Sequence, residues 1–160
     1  MIPFILREGL VPHEVLEDFE IAKAFIPKIP EATSEASNAS KRRKVGGIEV
    51  CYDYYWSCHG VARAVQRQLL LQWRVIEGFF VNHGTEHAWL FLELDRSKFI
   101  LDVYPYASVG GPFLLDAGSM SPWRDAYIER SMHYTAKEFE HFERQGYQII
   151  HATYDTVMEK

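Results

Sequence analysis

Cys58, His87 and Asp102 are the residues whose types and placement can carry covalent chemistry: a thiol in Trp56-Ser57-Cys58-His59-Gly60, an imidazole in His87-Ala88-Trp89 and a carboxylate in Leu101-Asp102-Val103. Each falls at the edge of an expected element, and together they read as nucleophile, base and the carboxylate that orients the base. A thiol attacks as thiolate, so such a site must lower the cysteine pKa from a free value of about 8.5. Ser57 is a good N-cap, which places Cys58 at the first helical position. There the unpaired backbone N–H groups and the positive end of the dipole favour an anion, and the same N–H groups can hold an oxyanion.

The elements that must position these groups are legible in the periodicity. From Ser57 onward, Val61, Ala62, Val65, Leu69 and Trp73 recur at helical spacing, with Arg63, Gln66, Arg67 and Arg74 on the other side. The pattern predicts a helix of roughly four turns that turns the Cys58 sulfur towards its apolar face. Gly60 costs about 1 kcal/mol of helix propensity relative to Ala, so it marks close packing or the approach of a substrate. Beyond the helix, Arg74 to Asn82 reads as a strand, Asn82-His83-Gly84 as a turn, and His87 to Leu94 as an alternating strand. Asp95-Arg96-Ser97-Lys98 is a second turn and Phe99 to Tyr104 a third strand. A loop pairing Glu93 with Lys98 sets His87 opposite Tyr104 and Asp102 diagonally across from His87 on one face. The Cα separation is then about 7–8 Å, which a carboxylate and an imidazole can bridge. A register one residue out separates them.

A cysteine at a helix start, a strand opening His-Ala-Trp and a strand carrying Leu-Asp resemble the core of transglutaminase-like proteins within the papain-like cysteine enzymes. The resemblance covers Trp56 to Pro105. It implies an α+β fold in which the nucleophile-bearing helix packs on an antiparallel sheet. It also implies Cys58 as nucleophile, His87 as general base and acid, and Asp102 as orienter. The activity implied is thiol acyl transfer on an amide or peptide carbonyl, of peptidase, deamidase or transglutaminase type, with hydrolysis favoured and no cofactor. In papain-like sites a side chain upstream of the cysteine completes the oxyanion hole; no Gln stands there, and Tyr52 or Tyr54 is the available donor. Trp56 and Trp89 are the aromatic candidates for lining the cleft.

Two other readings compete. A buried cysteine is usually an inert small hydrophobe, which makes the chain a binding module on the same scaffold. Cys51, Cys58, His59, His83 and His87 are numerous enough to ligate zinc, yet they form no CxxC pair and no helical His pair, so no metal is expected. His59 and His83 also compete with His87 for the role of base; His59 points about a quarter-turn from Cys58 on the helix and is the poorer candidate.

The bounds set by composition agree with a single domain over residues 1–160: 48% hydrophobic and 24% charged residues can build a core. Two cysteines, no charged leader and no apolar run approaching a membrane span point to a reducing cytoplasm, with no membrane partner. A net charge of −5 gives no general pull towards nucleic acid, and the expected partner is a protein or peptide substrate. Residues 12–26 form an N-terminal helix stopped by Pro27 and Pro30, and 31–46 read as a polar linker before the core. Its basic run Lys41-Arg42-Arg43-Lys44 reads as solvated, or as an address within a host cell. Ile48 to Tyr54 is expected to join the sheet. Residues 106–120, rich in glycine, read as a loop covering substrate. Ser121-Pro122-Trp123 starts a helix, and Thr135-Ala136-Lys137-Glu138 is a capping box ahead of a helix that Gly146 ends. Tyr147 to Tyr154 is read as a last strand. The sheet then has about five strands with helices on one side.

Overall fold

In a computed structural model that describes residues 11–30, 42–45, 48–51, 56–80, 85–103, 112–118, 127–130 and 134–158, the chain forms an α+β fold. Helix α1 (His13–Phe25) starts after Pro12 and buries Val15, Phe19, Ala22 and Phe25. One turn of 3-10 helix, with Pro27 in it, follows, so the N-terminal helix ends where its prolines dictate. Strands β1 (Arg42–Val45) and β2 (Ile48–Cys51) pair with each other in a separate two-stranded sheet. This corrects two expectations, because 42–45 are strand rather than linker and 48–51 do not join the main sheet. Val45 pairs with Ile48 across Gly46-Gly47, a two-residue connection of the kind that favours a tight local hairpin over a distant partner.

Helix α2 (Cys58–Gln66) is shorter than the four turns its apolar spacing predicts. The physical reason lies in α1. The buried Asp18 carboxylate accepts the backbone N–H groups of Leu70 (2.8 Å) and Leu71 (3.0 Å) and the indole N–H of Trp73 (2.8 Å). Those bonds hold 70–73 outside the helix, and Trp73 reaches the core from beyond its end. Cys58 through Val65 are all buried, so α2 is covered on every side.

The main sheet has the order β6-β5-β4-β3-β7, antiparallel throughout, with β3 (Arg74–Phe80), β4 (Thr85–Leu94), β5 (Ser97–Asp102), β6 (Phe113–Asp116) and β7 (Tyr127–Glu129). Glu93 pairs with Lys98 as the spacing predicts, but the turn is only Asp95-Arg96, with φ of 48° and 70°. Positive φ at both central residues belongs to a type I′ turn, whose twist matches the strands it joins. One face of the sheet (Ala88, Leu90, Leu92, Phe99, Leu101, Leu114) packs with the helices. The other gathers Trp89, Ile100, Phe113 and Leu115 into a second cluster.

Helix α3 (Ala136–Met158) overturns the largest expectation, because it continues through Gly146 and absorbs the strand read over Tyr147 to Tyr154. Its start is the predicted capping box: the Glu138 N–H donates to Thr135 Oγ1 (3.2 Å) and the Thr135 N–H to Glu138 Oε1 (3.1 Å). Gln145, Ile149 and Thr153 are its buried residues at four-residue spacing, two of them polar, which hides the helical stripe from a purely apolar reading. Gly146 serves the crossing with α2 rather than a terminus: a Cβ there would lie 2.9 Å from the Arg63 Cβ. In place of 48–54 and 147–154, the two strands that complete the five are β6 and β7, and β6 occupies part of the stretch expected to be a covering loop. Residues 106–111 and 119–120 of that loop and the helix start at Ser121 lie outside the described residues. Among the described residues no helix is long and apolar enough to cross a membrane.

Candidate active site

The N-terminus of α2 is built as its sequence predicts and then tightened by α3. Ser57 Oγ accepts the Gly60 N–H at 3.1 Å, the N-cap bond. Gln145 of α3 reaches back to the same place: its Oε1 accepts the Ser57 N–H at 3.1 Å and the Ser57 hydroxyl. Gly60 makes that approach possible, since a Cβ there would overlap the Gln145 side chain. Of the two meanings open to Gly60, close packing is the one realised. The Val61 N–H donates to the Ser57 carbonyl at 3.0 Å, while helix geometry gives the N–H groups of Cys58 and His59 no intrahelical acceptor.

His87 and Asp102 meet as the β4–β5 register requires. His87 Nε2 lies 2.8 Å from Asp102 Oδ2, with His87 fully buried and the Asp102 side chain 4% exposed. The same Oδ2 accepts the Tyr127 hydroxyl at 2.7 Å. Tyr127 was not among the sequence candidates, because a three-residue edge strand carries no readable period. It arrives through Gly78, which pairs with Glu129 in the β3–β7 register and whose Cβ, if present, would collide with the Ile128 carbonyl. Trp89 is buried beside the imidazole, with ring centroids 6.0 Å apart, and its other neighbour is Tyr127 in an edge contact at 5.1 Å. It walls in His87 rather than lining an open cleft.

Cys58 is 5% exposed, and the charges of His59 and His87 act on it. Burial works to raise the Cys58 pKa, but the charge and hydrogen bond of His59, followed by those of His87, outweigh it and bring it from 9.0 to about 5. Burial likewise opposes the charged form of His87, and the Asp102 carboxylate and then the thiolate overcome it, lifting the pKa from 6.5 to about 9. Both shifts favour thiolate beside imidazolium at neutral pH.

His59 is the residue whose place the helical wheel understated. It follows the nucleophile on the helix yet is only 2% exposed, and its Nδ1 is 3.4 Å from Glu77 Oε1. Arg63, expected on an outer polar face, is instead 1% exposed because α3 covers that side. Its guanidinium meets Glu77 at 2.6 Å and Glu143 at 2.8 Å, and Arg67 meets Glu143 at 2.6 Å. Trp56, a cleft candidate, donates its indole N–H to the Pro30 carbonyl at 2.7 Å and so ties 56 to the end of the N-terminal helical segment. Tyr52, Tyr54 and His83 lie outside the described residues. Among the described residues, no group of three or more His, Cys, Asp or Glu side chains is arranged to hold a metal ion.

Set against family models, curated proteins and solved structures, the chain finds no match, and its own geometry at Cys58, His87 and Asp102 is the ground on which a functional reading stands.

Proposed function

We propose that this protein is a thiol acyl-transfer enzyme of transglutaminase-like, papain-like type, acting on an amide or peptide carbonyl. The observation that carries the reading is the 2.8 Å contact of His87 Nε2 with buried Asp102, an imidazole–carboxylate pair whose charge acts on a cysteine at a helix start. In the first half-reaction the Cys58 thiolate attacks the carbonyl carbon, the C–S bond forms, and the carbonyl electrons move to oxygen. The Cys58 N–H at the helix start is oriented to receive that oxyanion. The His87 imidazolium gives its proton to the departing amine as the C–N bond breaks, leaving a thioester. His87, now neutral, takes a proton from water, the hydroxyl adds to the thioester carbonyl, and the acid leaves as the thiolate is restored. An amine in place of water completes a transfer by the same steps. Asp102, held by contacts with His87 and Tyr127, keeps the ring oriented and favours its charged form.

The test is trapping of the acyl-enzyme. The protein is mixed with a peptide-amide library, quenched in acid and digested, and Cys58 is examined by mass spectrometry. Acyl adducts on Cys58 that hydroxylamine removes are expected, with none in Cys58→Ala and very few in His87→Ala, because nucleophile and base act as one unit. A Cys58 that neither acylates nor reacts with an electrophilic thiol probe reduces the chain to a binding module.

A further inference from the structure

We propose that Gln145 is a positioning residue for the nucleophile: from α3 it completes the cap of the helix that Cys58 begins, and so holds the anion-binding start of α2 in place. The proposal rests on the acyl-transfer reading above and adds to it a residue that a Cys-His-Asp triad does not include.

A capping box needs two reciprocal bonds, one from the N3 N–H to the N-cap side chain and one from the N-cap N–H to the N3 side chain. In α2 the first is made, since Ser57 Oγ accepts the Gly60 N–H at 3.1 Å. The second cannot be made locally, because with Ser57 as N-cap the N3 residue is Gly60, which has no side chain. Gln145 makes it instead, 88 residues away in the chain: its Oε1 accepts the Ser57 N–H at 3.1 Å. A backbone N–H only donates, so the amide must present its oxygen here. The same Oε1 accepts the Ser57 hydroxyl, which points the serine proton away from Gly60 and leaves a lone pair for the cap bond. The replacement is spatial as well as chemical. The three atoms nearest to where a Gly60 Cβ would stand all belong to Gln145, within 2.9 Å, so the amide fills the volume that an N3 side chain would take.

Its own helix holds the amide there. Gln145 is fully buried, Gly146 beside it packs on Arg63, Ile149 one turn on is in the core, and Glu143 meets Arg63 at 2.8 Å and Arg67 at 2.6 Å. A buried glutamine costs desolvation and side-chain freedom that the bonds to Ser57 offset. An amide also suits the chemistry. A glutamate at N3 would accept the Ser57 N–H equally well, but its charge in the first turn would compete with the Cys58 thiolate for the positive end of the dipole. Gln145 supplies the acceptor without the charge, and acts on the thiolate through Ser57. Because the cap comes from α3, the start of α2 is fixed only once the two helices dock.

The experiment moves the amide from one helix to the other. Gln145→Ala, Gly60→Gln and the double variant are compared with the parent by urea unfolding and by iodoacetamide alkylation of Cys58 against pH, followed by mass spectrometry. Gln145→Ala strands the Ser57 N–H and Gly60→Gln drives a side chain into Gln145, so both should unfold at lower urea than the parent. In Gln145→Ala the Cys58 midpoint should also rise by about half a pH unit, roughly a threefold weaker hold on the thiolate, as the helix start loosens. The double variant carries a local Ser-x-x-Gln box and should recover on both measures beyond what adding the single losses allows. An unmoved Cys58 midpoint in folded Gln145→Ala overturns the proposal, and so does a double variant whose losses simply add. If Gln145→Ala alone does not fold, the double variant decides: a folded protein with the parental midpoint supports the proposal, and any other result overturns it. A parent midpoint like that of a free thiol sinks the acyl-transfer reading itself. The cap is then judged by urea alone, where recovery in the double variant upholds it and additive losses overturn it.

Discussion

Replacing Asp102 with Asn separates orientation from charge at the site, and its effect can be worked from the contacts. In the parent, a Cys58 pKa of about 5 leaves about nine tenths of the thiol ionised at pH 6, against about 0.3% for a free thiol. That is roughly 300-fold more thiolate, but lower basicity also weakens the nucleophile: a Brønsted slope of about 0.4–0.5 over about 3.5 pH units removes some 25- to 60-fold. A net advantage of about fivefold to tenfold over a free thiol remains at pH 6, before the cover over Cys58 is counted. The midpoint of the alkylation profile is therefore the better readout than the absolute rate. Asn at 102 can still touch His87 Nε2 and accept the Tyr127 hydroxyl, yet it no longer opposes the desolvation of the imidazolium. His87 loses much of its charge, and the Cys58 midpoint should rise by about one pH unit, with His59 still in place. Acyl-enzyme formation should fall about 10³- to 10⁴-fold, in line with loss of the preferred tautomer and charge. The assay is iodoacetamide alkylation from pH 4 to 9, with Cys58 followed by mass spectrometry. A Cys58 midpoint that Asp102→Asn leaves unmoved in a folded protein would refute the reasoning, because it would mean that the carboxylate does not govern the imidazole that faces the sulfur.

Four further outcomes follow. Stability should peak near pH 6.5: the thiol's contribution, full above 9.0, is lost as pH falls through about 5, and those of the two imidazoles, full below 6.5, are lost as pH rises through about 9, two protons against one. Urea midpoints that climb steadily from pH 5 to 9 would contradict that account. Asp18→Ala should cost about 3 kcal/mol or more in urea unfolding, since it strands three donors that Asp18 now satisfies; a loss under 1 kcal/mol would mean that water replaces it. Gly146→Ala should destabilise by about 1–3 kcal/mol despite the better helix former, because the new methyl meets the Arg63 Cβ across the helix crossing. Tyr127→Phe should slow acylation severalfold while leaving the melting temperature within a few degrees, as it removes the hydroxyl donor from Asp102 and keeps the ring; an unchanged rate would make the hydroxyl incidental.

Local signals were the readable part of this chain. Ser57 as an N-cap, the Thr135–Glu138 capping box, α1 between Pro12 and Pro27, and the Glu93–Lys98 pairing each depend on residues a few positions apart, and each appears as the sequence implies. The side-chain period of two then brings His87 and Asp102 to one face without further information. What failed depended on partners distant in the chain. Leu69 and Trp73 share the period of α2, but Asp18, more than fifty residues earlier, draws their segment out of the helix. Tyr147 to Tyr154 carry Ile149 and Ile150 side by side, which fits a strand as well as a helix, and only the packing of α3 on α2 decides between them.

The sequence by itself determined that a cysteine begins a helix and that a histidine and an aspartate can meet across a hairpin, because capping and register are settled by neighbours. The tertiary structure alone decided the electrostatics of that cysteine. Packing α3 over α2 buries Arg63 between Glu77 of β3 and Glu143 of α3, and stacks His59 on Phe142 within 3.4 Å of Glu77. Excluding water strengthens each of those attractions, and no spacing within a single element encodes them.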